Sequence, residues 1–282
     1  MKKQFLSGVS FIALAVATPA IAADMPMKAP VYKAPVEAVY NWTGWYVGAN
    51  AGALWGQSDV TSSAPCTATG SPPGYFCTTT SGLANGAAVG AAGTGSLSAS
   101  GFTGGVQAGY NWQTGNVVLG LETDFNAFHF SGSQTVSAHY PVSGPLVGTG
   151  NVFTVGTSAD ADWLFTARGR IGWTVTPNVL GYATGGLAVT QLKAANSFSD
   201  DQGATGGGSN SATKTGWVVG GGVEWAFDKN WSAKAEYLYV DFGSVSVNSI
   251  ITSPISGGYS QAISTSADLT ANIARVGINY KF

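Results

Sequence analysis

The sequence predicts an all-β fold: an eight-stranded antiparallel up-and-down transmembrane β-barrel with short periplasmic turns and long extracellular loops. Three observations predict it. From Trp42 onward, segments of roughly ten residues with period-two alternation recur eight times. The connectors between them alternate between short and long, and all nine tryptophans fall at or near segment ends.

The chain opens on MKKQFLSGVSFIALAVATPAIAAD. Lys2 and Lys3, a short apolar core and an Ala-x-Ala ending are the layout of a cleaved secretory signal, residues 1–23. An N-terminal anchor is the alternative. Residues 24–41 repeat Lys-Ala-Pro without helical or strand periodicity, which suits an extended periplasmic linker before a barrel over 42–282.

The eight segments are WTGWYVGANAGALW, GFTGGVQAGYNW, VVLGLETDFNAF, DWLFTARGRIGWTV, VLGYATGGLAVTQLK, GWVVGGGVEWAF, WSAKAEYLYVDF and LTANIARVGINYKF. Thr114 to Asn116, Thr176 to Asn178 and Asp228 to Asn230 are tight turns, rich in turn-forming residues. Between the other pairs lie long polar stretches: Gly56 to Ser100, His129 to Ala161, Ala194 to Thr215 and Gly243 to Asp268. These read as loops outside the cell.

The faces are two-sided. In the sixth segment Trp217, Val219, Val223, Trp225 and Phe227 oppose Gly216, Gly220, Gly222 and Glu224. In the fourth, Trp163, Phe165, Ile171 and Trp173 oppose Thr166, Arg168, Arg170 and Thr174. The fifth is too uniformly small and apolar for its faces to be told apart. All nine tryptophans, Trp42 included, are expected at the two headgroup levels, where an amphipathic indole partitions.

Composition agrees with a membrane location. Charged residues make up 9% of the chain, against about 25% in soluble domains. No apolar run after the signal reaches the ~18 residues of a spanning helix. Removing Lys2 and Lys3 from the 12 basic residues leaves 10 against 14 acidic, which excludes a nucleic-acid partner that needs a basic face. Cys66 and Cys77 are the only cysteines and suit one loop disulfide in an oxidising compartment, with two free thiols as the alternative.

Charges inside the segments sit on the polar faces: Glu122, Asp124, Arg168, Arg170, Glu224, Lys234, Glu236 and Arg275. An eight-stranded barrel is just wide enough for side chains to fill it, so these charges are expected to pair into an ionic cluster in the lumen. The same residues could line a narrow polar conduit; a wide channel needs about 16 strands. No nucleophile with an adjacent base can be assembled, so no catalytic residue and no cofactor are expected. GAAGTGS, Gly90 to Ser96, is expected as a small-residue surface loop, and Asp200 and Asp201 as solvated loop acids. His129 and His139, with Asp160 or Asp162, are the remaining candidate metal or haem ligands, more simply unliganded.

The motifs NWTGWYVGANAG, GGVQAGYNWQ, NVVLGLETDF, RGRIGW, YATGGLA, GWVVGGGVEWAF, KAEYLYVDFG and RVGINYKF carry a family resemblance over Asn41 to Phe282. The chain resembles the small outer-membrane β-barrel proteins of alphaproteobacteria, the RopB-type surface antigens. The resemblance implies an abundant porin-like protein of the cell outer membrane with roles in envelope integrity and surface recognition. Implied partners are outer-membrane lipids, lipopolysaccharide, small solutes and host surface ligands; some relatives are described as haem-binding. It also implies that the terminal aromatics Tyr280 and Phe282 are an assembly signal read by the barrel-insertion machinery.

Overall fold

The computed structural model describes residues 40–66, 74–75, 82–144, 146–254 and 259–282. The expected signal peptide and most of the linker lie outside them, as does Cys77. Cys66 is half-buried and disulfide-bonded.

Eight strands form one closed antiparallel barrel. They are β1 (Gly44–Ser63), β2 (Gly95–Thr114), β3 (Val117–His139), β4 (Val152–Thr176), β5 (Val179–Asp200), β6 (Thr205–Ala226), β7 (Trp231–Thr252) and β8 (Ser260–Lys281). A helix, α1 (Leu83–Ala92), lies between β1 and β2. Each strand pairs with its neighbours in sequence, and β1 closes on β8 from Tyr46 opposite Lys281 to Ser63 opposite Ser264. The Phe282 amide completes the seam by donating to the Trp45 carbonyl at 3.0 Å.

The tight turns sit where the sequence places them, and Gly115 adopts a φ of +61° that suits its turn. The strand lengths differ from the expectation. Strands of 20 to 25 residues are about twice the 9–11 needed to cross a bilayer. Much of each stretch expected as a loop is therefore strand, carrying the wall outward beyond the membrane. The reason is an inversion of pattern. Within the bilayer band apolar residues face out and polar ones in; above it Ser, Thr, Asn and Gly face out while Val60, Leu97, Phe130, Leu192, Val245 and Leu269 are buried inside. Polar outer faces in water look like loop sequence unless the small apolar alternates are counted.

Three further expectations are corrected. Trp42 is only 2% exposed and sits inside the periplasmic mouth with Tyr40, Val118, Leu180, Tyr182 and Ala226, not at the headgroup level. A backbone N–H anchors it there by donating to Gln113 Oε1 at 2.8 Å. The Gly90 to Ser96 stretch is not a surface loop: it is the end of α1 and the start of β2, with Gly90, Ala92 and Gly93 buried. Its small side chains let the helix lie against β1, where a Cβ on Gly90 would come 3.0 Å from the Ser62 carbonyl. Asp200 is only half-exposed and organises the extracellular end, as described below.

The other tryptophans form two belts. Trp45, Trp112, Trp173, Trp225 and Trp231 mark the periplasmic level, and Trp55, Trp163 and Trp217 the extracellular one. The wall is irregular in several places: register shifts interrupt β3 with β4 between Ala127 and Phe130, β4 with β5 between Ala161 and Phe165 and between Thr174 and Thr176, and β7 with β8 between Asp241 and Ser244. Pairing of β6 with β7 lapses between Gly206 opposite Ile251 and Trp217 opposite Asp241.

Tight curvature explains part of the glycine content. A Cβ on the inward Gly105 would lie 2.1 Å from the Phe125 carbonyl oxygen, whereas one on the outward Gly169 would meet nothing closer than 3.9 Å. Gly105→Val is therefore expected to destabilise the barrel by at least about 2 kcal/mol through forced backbone displacement. Gly169→Val should be tolerated. The heat-modifiable fraction on a denaturing gel measures both.

Candidate functional site

Side chains on the inward faces of β3, β4, β6, β7 and β8 bring all eight expected charges together in the periplasmic half of the barrel. Register does most of the positioning. Glu122 lies directly opposite Arg168, Glu224 opposite Lys234, and Glu236 opposite Arg275. Two-residue spacing then keeps Glu122 with Asp124, Arg168 with Arg170, and Lys234 with Glu236 on the same inner face.

Four carboxylates meet four cations, and every one of the eight is 5% exposed or less. Arg168 is the hub: it binds Glu122, reaches Asp124 at 2.8 Å and Glu236 at 2.9 Å, and is supported by Thr166 at 3.1 Å. Arg275 pairs with Glu236 at 2.6 Å and Asp124 at 3.0 Å. Lys234 donates to both oxygens of Glu122 at 2.9 Å, and Arg170 pairs with Glu224 at 2.7 Å. Burying so many ions is tolerable only because each finds partners of opposite sign and the set is neutral.

A polar collar completes the cluster, and Tyr46, Tyr182 and Ser232 in it were missed in the sequence. The Tyr46 hydroxyl donates to Glu122 at 2.8 Å and the Tyr182 hydroxyl to Glu236 at 3.0 Å. The Arg170 guanidinium lies 4.0 Å from the Tyr182 ring centroid. Ser232 and Asn279 donate to Glu224 at 2.6 and 2.8 Å. Tyr46, Ser232 and Asn279 share inward parity with Asn50, Lys234 and Arg275, a signal that was available. Tyr182 lies in the fifth segment, whose faces the sequence does not separate.

The lumen is packed on both sides of this cluster. Below it lies the Tyr40 and Trp42 group. Above it Leu54, Phe128, Phe130, Leu164, Leu192, Leu238, Phe242 and Ile273 belong to an apolar core. A second core, including Val89 of α1, Tyr140, Phe153, Phe198 and Ile263, lies at the extracellular end. There Asp200 Oδ2 accepts hydrogen bonds from the Tyr75 and Tyr140 hydroxyls at 2.8 and 3.1 Å, and Oδ1 from the amides of Gln202 and Ala204. Asp201 is exposed and takes the Val152 amide at 3.0 Å.

His129 and His139 both lie on β3 with exposed side chains, ten residues apart and hence ~33 Å along the strand, too far to share one ion or haem. Asp160 instead accepts from Ser131 at 2.6 Å, and Asp162 pairs with Lys193 at 2.7 Å. Among the described residues no group of three or more His, Cys, Asp or Glu is placed to hold a metal.

A closed eight-stranded barrel with an apolar outer band, two tryptophan belts and an ion-paired interior defines an outer-membrane protein. The outer membrane protein beta-barrel domain model matches residues 13–282, and the chain belongs to that family. It is 35% identical over 274 residues to the 31 kDa outer-membrane immunogenic protein of Brucella melitensis, covering 96% of this chain and 97% of that one. It is 30% identical over 182 residues to the 22 kDa outer membrane protein of Rhizobium leguminosarum bv. viciae, covering 64% and 67%. Among solved structures, Neisserial surface protein A aligns over 85% of this chain and 98% of its own, with 15% identity and a TM-score of 0.34. The protein is thus an integral outer-membrane barrel with surface-antigen relatives.

Two predictions follow from the geometry. Arg168→Met leaves three carboxylates short of a buried partner and should cost about 3–5 kcal/mol in denaturant unfolding from detergent. Burial, reinforced by the Asp200 carboxylate, pushes the Tyr140 and Tyr75 hydroxyls well above the ordinary phenol value. The neutral phenol is then the folded form, so its contribution is whole below pH ~10 and is lost as pH rises beyond that. Extracellular-end stability, followed by amide exchange, should fall above pH ~10 in the wild type and fall less in Tyr140→Phe.

Proposed function

We propose that this protein is a sealed, load-distributing wall element of the outer membrane that presents a rigid extracellular head for surface interactions, not a solute channel or an enzyme. The observation that supports the reading is the succession of buried layers along the lumen among the described residues. A neutral network of eight buried charges is stacked between the Trp42 group and a large apolar core. Water and ions crossing such a barrel would have to break the ion pairs and then wet the aliphatic layer. Each step is costly, because an unpaired buried charge and an unsatisfied polar group both carry large desolvation penalties.

The head suits recognition at the cell surface. Strands that continue beyond the bilayer, tied by the Asp200 hub and the second apolar core, hold outward Ser, Thr, Asn and Gly side chains on a stiff frame. Relatives named as immunogenic proteins support exposure of this end. Assembly would rest on the last strand, with Tyr280 and Phe282 presented in extended form to the insertion machinery.

Planar-bilayer recording tests the sealed lumen. The wild type should show no steady conductance, and Arg168→Ala with Arg275→Ala should produce at most brief events; a stable ion-selective current in the wild type would establish the porin alternative. Deleting Phe282 should leave export intact and abolish the heat-modifiable form in the outer membrane. Normal insertion of the truncated chain would remove the assembly role.

A further inference from the structure

We infer that the outer surface around Trp55 is a binding site for a sugar ring of an outer-leaflet glycolipid headgroup. The inference goes beyond the sealed-lumen reading, since the site lies on the outside of the barrel. Strands β2, β1, β8 and β7 run side by side there, and their registers lay the outward side chains in rows. Phe102, Ala53, Ala274 and Tyr237 form an apolar row. The next row outward is Ser100, Trp55, Asn272 and Tyr239, and the one beyond is Ser98, Gln57, Thr270 and Asp241. Lipid-facing chemistry thus changes to hydroxyls and amides across a single row, with Trp55 on the boundary.

A groove of about 330 Å³ occupies this spot, lined by Trp55, Gln57, Ser98, Ser100, Thr270 and Asn272. That is the small end of ligand-site sizes and suits one ring. Its chemistry is that of a saccharide site. Trp55 is 44% exposed and offers an aromatic face for sugar C–H groups. Around it stand hydroxyls and carboxamides, each able both to donate and to accept, as vicinal hydroxyls require. The groups are held in place: the Tyr237 hydroxyl donates to Asn272 Oδ1 at 2.5 Å, Gln57 Nε2 donates to Asp59 Oδ1 at 3.1 Å, and the Tyr237 and Trp55 rings lie 6.2 Å apart.

Charge narrows the occupant. No basic side chain lines the groove, and Asp59 and Asp268 stand opposite one another just beyond it, with Asp241 at its side. A phosphate would be repelled, whereas a neutral ring is not. The periplasmic belt provides an internal contrast. There Trp45 faces Tyr110, Trp112 faces Leu119, Trp173 faces Val117, Trp231 faces Tyr280, and Trp225 packs on Phe227, so that among the described residues the paired neighbours are aromatic or aliphatic.

The test uses the full mature barrel in detergent, titrated with rough lipopolysaccharide bearing core sugars, with lipid A lacking them, with the free core oligosaccharide and with phospholipid. Bound lipid is counted by native mass spectrometry. Core-bearing lipopolysaccharide should bind roughly tenfold more tightly than lipid A, a difference equivalent to one well-made polar contact set. Trp55→Ala, Gln57→Ala and Asn272→Ala should each reduce that preference while keeping the heat-modifiable band. Should Trp55→Ala fail to fold, the exposed Gln57→Ala carries the test. Equal affinity for lipid A, an undiminished preference in folded Gln57→Ala and Asn272→Ala, or free oligosaccharide binding as tightly as the whole glycolipid would each overturn the assignment. Bilayer conductance is independent of every arm, so failure here and failure of the sealed lumen are separable.

Discussion

Electrostatic neutrality in a buried, low-dielectric interior governs this molecule. An eight-stranded barrel leaves an interior that side chains must fill. A chain whose outward faces meet lipid has to turn its polar residues inward. Charge placed there must be balanced within a few ångströms, and Arg168, which meets three carboxylates, does the largest share of that balancing. The cross-strand matches of Glu122 with Arg168 and Glu236 with Arg275 then constrain register, because a one-residue slip would send every one of these ions toward lipid.

Hydrophobic burial takes over where lipid ends. Past the Trp55, Trp163 and Trp217 level the surrounding solvent becomes water, and the same strands reverse their faces, so that aliphatic and aromatic groups pack within. One barrel therefore holds two kinds of interior in series, each the complement of what lies outside it. The ion cluster is specific in its pairing; the aliphatic layer is generic in its packing.

Much of this was legible in the chain. Glu122 and Asp124, or Arg168 and Arg170, sit at two-residue spacing amid outward aromatics, so strand parity alone delivers them to the lumen. The outer halves of the strands were hidden for a physical reason: stretches such as Thr205 to Thr215 hold Gly, Ser, Asn and Thr on a water-facing sheet, a composition shared with true loops. Trp42 was misplaced because position near a segment end does not tell an indole that faces lipid from one folded back into the mouth. Asp200 looked solvated because its partners, Tyr75 and Tyr140, come from two other connections and no local spacing announces them.

The seam between β1 and β8 has a consequence for when the molecule can exist. Tyr46 and Lys281 are neighbours in space and nearly the whole sequence apart. Until the final strand arrives, β1 offers an unpaired edge, and the sheet has neither closure nor a completed ion cluster, since Arg275 is supplied last. Contacts this distant form slowly and only after the intervening chain is ordered. The barrel is consequently an all-at-once object: a nascent chain emerging from a ribosome or a translocon has no partial version of it to adopt. Closure of the wall and completion of the ion cluster are therefore a single event.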